Sequence, residues 1–114
     1  MKDIDEMEHL DEDGYPTEEA LKIIETWDWK TQDIVKLFDF IHSIWYSERW
    51  KESEAVSHHG KKYHQYQFST DGWSGNESII DAFRKNDFVY NLCLLHYRRG
   101  GHYEFDTLYL EDLK

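Results

Sequence analysis

Apolar residues recur at intervals of three and four from Ile34 to Trp45: Ile34, Leu37, Phe38, Ile41, Ile44 and Trp45. This is the period of one buried helical face. It predicts a helix over 31–46, capped by Thr31 with Asp33 in its first turn, as the main helical wall of the core. Upstream, Ala20, Leu21, Ile24 and Trp27 keep the same period and predict a helix over 17–29. Thr17 is its cap, and Glu18 and Glu19 sit in the first turn, where the positive end of the helix dipole favours carboxylates.

Helical periodicity stops near Ser47. Residues 53–57 and 62–68 read as two strands around the glycine-containing turn His58-His59-Gly60-Lys61, with His64, Tyr66 and Phe68 on one face of the second. Ile79, Ile80 and Phe83 mark a helix over 76–85, with Asn86 as its stop. From Phe88 to Tyr97 the chain is almost continuously apolar or aromatic, which predicts a central strand. Arg98-Arg99-Gly100-Gly101 makes a turn, and 102–110 forms the returning strand. The order is ααββαββ. The hairpins favour an antiparallel sheet of about four strands with about three helices on one face, a single α+β domain over 15–114. Residues 1–14 are read as an acidic flexible arm, ended by Gly14-Tyr15-Pro16; Ile4, Met7 and Leu10 recur within it every third position.

Composition adds two facts to this pattern. Aromatic residues make up 17% of the 114 residues, so a few large rings supply much of the burial. The net charge is −11, and residues 1–39 hold 13 acids against four lysines. Such a field repels nucleic-acid phosphates and anionic lipid and favours a basic protein surface. Glu18, Glu19, Glu25, Asp28 and Asp33 are the carboxylates expected to meet such a partner. Cys93 is the only cysteine and lies in an apolar run, which excludes an intrachain disulfide and suits a reducing cytoplasm. The acidic start lacks the pattern of a signal peptide, and no apolar run nears the roughly 20 residues of a membrane span. A homodimer stays open.

Candidate chemistry gathers at two glycine turns. In Ser69-Thr70-Asp71-Gly72-Trp73-Ser74-Gly75-Asn76-Glu77, Ser74 and Glu77 have the spacing of a capping box. A strand-to-helix turn of this kind can present N–H groups to an anion. Arg98, Arg99 and His102 beside Gly100-Gly101 are the most basic patch, and guanidinium groups hold phosphate bidentately. Were the turns to face one another, Trp73, Ser74, Asn76, Arg98, Arg99 and His102 would form a nucleotide or phosphate pocket. Seven histidines are present, but no HExxH, CxxC or HxH pattern occurs, and adjacent His58-His59 point to opposite sides of a strand. No metal or other cofactor is expected. Ser69, Thr70, Ser74, His64, His96 and His102 are catalytic candidates by type only, with no recognised spacing between them.

Two strings, Ser69 to Glu77 and Arg98-Arg99-Gly100-Gly101-His102-Tyr103-Glu104-Phe105, resemble a pattern of small proteins from bacteria, their prophages and phages. The likeness spans about the last half of the chain, with weaker echoes at Tyr15-Pro16-Thr17 and Trp45. Asp71 stands where the pattern leads one to expect glycine, and Tyr97 where it leads one to expect a small residue. The resemblance implies a phage or mobile-element setting and carries no activity. With the acidic first third, the small domain and the surplus of aromatics, the expectation is a non-catalytic binding protein that inhibits a host defence or nucleic-acid-handling protein by occupying its basic surface. A nucleotide- or phosphate-sequestering protein is the alternative, and a small nuclease-like enzyme acting through His64, His96 or His102 the third expectation.

Overall fold

The computed structural model describes residues 9–47 and 49–113, the last three by their backbone. Ile4 and Met7 therefore lie outside the described residues. Among the described residues the domain is α+β, with an antiparallel four-stranded sheet and five helices. In chain order these are α1 (Glu18–Glu25), α2 (Ile34–Ile44), β1 (Trp50–Val56), β2 (Lys62–Ser69), α3 (Ser74–Lys85), α4 (Asp87–Cys93), β3 (Leu94–Arg98), β4 (His102–Asp106) and α5 (Leu108–Leu113). The order across the sheet is β1-β2-β4-β3.

Residues 9–17 form a closed turn. Leu10 bridges Pro16, and the Thr17 N–H donates to the His9 carbonyl at 3.0 Å. Thr17 then caps α1 as expected, its hydroxyl accepting the Ala20 N–H at 3.2 Å. The helix is shorter than its apolar period suggests. Thr26 turns its hydroxyl back on the Lys22 carbonyl at 2.7 Å and closes the last turn, and Trp27 is buried from the loop beyond. In the second helix the cap is Asp33, not Thr31. The Asp33 carboxylate accepts the Val35 N–H at 3.0 Å, while Thr31 spends its hydroxyl on Asp28, also at 3.0 Å. A carboxylate takes the stronger bond at the positive end of a helix. Trp45 leaves α2 in an extended conformation, which ends the helix two residues before its predicted stop.

The first hairpin has the predicted turn, but β1 starts at Trp50, earlier than expected, because Trp50 pairs with Phe68 at the far end of the ladder. The larger correction concerns 88–97, which is not a central strand. Its first part is α4, with Val89, Tyr90 and Cys93 buried and Phe88 and Asn91 exposed. Only its last part is strand, and β3 lies at the sheet edge. A short apolar run satisfies a buried helix and a buried strand equally, and period alone does not separate them. Likewise the returning strand stops at Asp106, whose carboxylate accepts the Leu108 N–H at 3.2 Å and opens α5. Together these two changes raise the helix count from three to five.

One face of the sheet is aromatic. Tyr66 and Phe68 of β2 lie opposite Phe105 and Tyr103 of β4, and all four are buried. Phe38 of α2 settles on them, stacked on Tyr66 at 4.1 Å and tilted against Phe105 at 5.7 Å, with Phe83 of α3 edge-on at 5.7 Å. The alternate positions Lys51, Gln67 and Glu104 lie on the other, polar face, as the period of two requires. Asn86, between α3 and α4, donates to the Ile24 and Trp27 carbonyls at 3.0 Å each and ties the end of α1 to this layer.

Burial raises the Asp106 carboxyl above its ordinary value, partly opposed by the Leu108 N–H, which favours the charged form. The folded chain thus holds this proton more tightly than the unfolded chain, and stability falls as pH rises from the ordinary 3.8 through the folded value. Asp106→Asn keeps an oxygen for Leu108 and removes the titration. It is expected to be more stable than the parent at neutral pH, with the difference vanishing below about pH 3; urea unfolding at both pH values checks this.

Candidate functional site

The loop between β2 and α3 is built by close approaches that only small residues permit. Asp71 has φ +53° and Gly72 φ +73°, so the chain turns through the left-handed region twice in succession. Asp71 is the position where the phage-like pattern leads one to expect glycine. Here its short carboxylate is held by the Ser47 hydroxyl at 2.5 Å and lies 3.6 Å from the Arg49 guanidinium. A Cβ on Gly75 would overlap the Trp73 ring, and one on Gly101 would overlap the Thr70 hydroxyl. The Thr70 N–H also donates to the Gly101 carbonyl at 2.9 Å. The two glycine turns are therefore joined backbone to backbone.

The expected capping box does not form. Trp73 is the cap residue and makes no side-chain cap bond, so Ser74 falls one position inside the helix. Its hydroxyl instead faces that of Tyr15 at 3.4 Å. Asn76 is completely buried and serves the backbone. Its oxygen accepts the Tyr46 N–H at 3.0 Å, and its amide donates to the carbonyls of Tyr46 at 2.9 Å and Thr70 at 3.3 Å. The Trp45 indole donates to the Ser69 carbonyl at 3.1 Å, so both ends of the loop are anchored to the exit of α2.

Two cavities adjoin at Gly72. The first, of about 680 Å³, is aromatic and lies among Trp45, Tyr46, Ser47, Asp71 and Trp73. Trp73 is sandwiched between Tyr15 at 4.9 Å and Tyr46 at 5.0 Å, and Tyr46 is 69% exposed. The second, of about 480 Å³, is a polar cleft between α3 and the β3–β4 turn. Thr70, Glu77, Asp81, Arg84, Tyr103 and the Gly100-Gly101 turn line it. Arg84 donates from Nη2 to the Tyr103 hydroxyl at 2.9 Å and from Nε to the Tyr90 hydroxyl at 3.4 Å, and its Nη1 lies 3.8 Å from Asp81. The bond to Tyr90 raises the Arg84 pKa, and burial pushes the Tyr103 phenol up to about 12, against the pull of Arg84.

Of the residues expected at a ligand pocket, only Trp73 lines either cavity. Ser74 is at the Tyr15 contact and Asn76 is enclosed in the backbone. Arg98 and Arg99 are exposed on the second hairpin and line neither cavity. His102 lies across the ladder from Ser69, with its Nδ1 2.8 Å from the serine hydroxyl. A serine and a histidine in contact can act as nucleophile and base, but no described contact brings a carboxylate to this histidine. The polar groups that line the cavities are instead Tyr46 in the first and Arg84 and Tyr103 in the second. The spacing of Glu77, Asp81 and Arg84, four and three residues apart, was the readable sign of a shared helix face.

The acids expected to meet a partner are divided. Glu18 and Glu19 are exposed, with no ion pair among the described residues. Glu25 lies 3.7 Å from Lys85, Asp28 accepts the Lys30 N–H at 3.0 Å, and Asp33 caps α2. No group of three or more His, Cys, Asp or Glu among the described residues is placed to hold a metal, and Cys93 is buried. No helix of the described residues is long and apolar enough to cross a membrane. No protein-family model, curated protein or solved structure matches the chain.

Asn76→Ala removes the side-chain partner of the Tyr46 N–H and carbonyl, while the Thr70 carbonyl keeps the Trp73 N–H at 3.0 Å; the change is expected to cost about 2–4 kcal/mol in urea unfolding. Asp71→Gly and Asp71→Ala both lose the bond to Ser47, but only alanine retains the left-handed strain. Alanine is therefore expected to be the less stable of the two by about 1 kcal/mol, read by the same measurement.

Proposed function

We propose that the chain is a non-catalytic binding protein, encoded by a phage or mobile element, that inhibits a host defence or nucleic-acid-handling protein by occupying its basic surface in the bacterial cytoplasm. The contact is made by the Trp73 loop. The observation that carries this reading is the ring cluster at its mouth, where Tyr46 stands exposed beside Trp73 over an aromatic cavity. Tyrosine and tryptophan are the commonest anchors of protein interfaces, because they bury large area at small entropic cost. Asp71 shares the cavity with these rings, Glu77 and Asp81 line the adjoining cleft, and the charge of −11 steers a positive surface towards them. Glu18 and Glu19 add to that field from α1. The serine, threonine and asparagine groups of the loop are engaged in holding the chain, which favours recognition over turnover. The two strings that resemble phage and prophage proteins support the assigned origin.

The nucleotide or phosphate alternative keeps only the Arg84 guanidinium, which shares its cleft with Glu77 and Asp81, because Arg98 and Arg99 line neither cavity. The nuclease reading rests on the Ser69–His102 contact alone.

The test is capture from a bacterial lysate on the immobilised chain. A basic nucleic-acid-handling protein is expected, with capture falling about tenfold or more for Tyr46→Ser, as for an interface anchor. Reversing Glu18 and Glu19 to lysine should weaken capture less and flatten its salt dependence. Capture that Tyr46→Ser leaves intact would refute the assigned face. Cleavage of RNA or DNA that His102→Ala abolishes would refute the reading as a whole.

A further inference from the structure

We propose that the polar cleft between α3 and the β3–β4 turn binds a small zwitterion, an amino acid or short peptide, with its carboxylate on Arg84 and Tyr103 and its ammonium towards Asp81 and Glu77. This goes beyond recognition by the Trp73 loop and does not depend on it.

The argument begins with the donors. A guanidinium carries five N–H groups. Arg84 spends one from Nε on Tyr90 and one from Nη2 on Tyr103. The outer edge, formed by Nη1 and the second Nη2 proton, makes no hydrogen bond among the described residues. That edge has the fork geometry that receives a carboxylate bidentately. The two phenols hold the guanidinium in place beforehand, so little rotamer freedom is lost on binding. Each phenol accepts from Arg84 and keeps its own proton as a donor. Tyr103 lines the cleft, and its phenol accepts from Arg84 while retaining its own proton at neutral pH.

The charges select among oxyanion ligands. Glu77 and Asp81 share the cleft with Arg84, so its lining carries one more negative charge than positive. A bare phosphate dianion would gain Arg84 and meet two carboxylates. A simple amine would gain the carboxylates and meet the guanidinium. A ligand bearing both charges satisfies both ends, and having no net charge it escapes the long-range repulsion of a chain at −11. Asp81 gives up little in turning to the ligand, because its pairing with Arg84 at 3.8 Å joins two well-exposed groups. Along the helix axis Asp81 precedes Arg84 by about 4.5 Å and Glu77 precedes it by about 10 Å. These spans suit ligands from a single amino acid to a short peptide, and a cleft of about 480 Å³ has room for either.

The experiment is a titration of the full chain, followed by amide and arginine Nε–H resonances. The probes are glycine, triglycine, acetate, ethylamine and inorganic phosphate. At least one of the two zwitterions is expected to move Thr70, Gly101 and the Arg84 Nε–H, and to bind about tenfold or more tightly than acetate, ethylamine or phosphate. Arg84→Gln should weaken it about tenfold or more, and Arg84→Lys, which keeps the charge but lacks the planar fork, should also bind poorly. Glu77→Gln, an exposed change, should weaken the zwitterion and strengthen acetate, because one of the two carboxylates that oppose an anion is gone. Arg98→Gln should change nothing. Acetate or phosphate binding as tightly would make this an anion site, and ethylamine doing so would make it a cation site; either overturns the proposal. It also fails if neither zwitterion perturbs these resonances, or if Arg84→Gln binds like the parent. Loss of lysate capture in Tyr46→Ser with zwitterion binding intact separates the two readings.

Discussion

The structure depends on the stacking of Phe38 against the aromatic face of the sheet. That ring meets Tyr66, Phe83 and Phe105 together, from β2, α3 and β4, so it is the point where both layers and both hairpins converge. Burying a ring of this kind contributes about 1.5–3 kcal/mol, and neighbouring rings add geometric preference beyond area. The stack extends outward through Phe68 to Trp50 at 4.2 Å and His42 at 4.4 Å. In an acidic chain of this length a few rings take the place of a larger aliphatic core.

The same seam determines where the recognition surface stands. Because α2 is laid along the sheet by Phe38, its end delivers Trp45 and Tyr46 beside the end of β2. The buried amide of Asn76 then joins Tyr46 to Thr70, and Thr70 is in turn bonded to Gly101. Three segments far apart in the chain are thus locked by hydrogen bonds with no water-facing member at Asn76. Rigid support of this kind holds the exposed Tyr46 against a half-buried Trp73 in a defined position, which is the condition for an anchor that loses little entropy on contact. On the other side of Gly72, the same arrangement places the β3–β4 turn against α3 and leaves the Arg84 cleft between them.

The likeness between the two glycine turns hides a difference in their work. Gly75 is needed only because the Trp73 ring occupies the space of a Cβ, whereas Gly101 meets the Thr70 hydroxyl and also has φ +85°; Asp71, at φ +53°, shows that the first turn tolerates a short polar side chain there. A basic patch in the sequence was likewise a poor guide to a basic site. Arg98 and Arg99 are exposed on a hairpin and line neither cavity, while Arg84, in the pair Arg84-Lys85, lines the cleft beside α3 and is held by two phenols.

The amino-acid order alone determined the class of fold, the first three helices, the two hairpins and the buried face of β2. These follow from local periods, turn residues and caps, which act over a few positions. It also singled out both glycine turns. Tertiary structure decided what period leaves ambiguous: the run from Phe88 became a helix followed by an edge strand, because Val89, Tyr90 and Cys93 reach the core with helical spacing. It decided that Asn76 is enclosed, that Arg98 and Arg99 line neither cavity, and that Arg84 meets Tyr103 across 19 residues of chain. Such pairings join groups distant in the chain, and no local pattern records which of many polar residues will be brought together when the rings close the core.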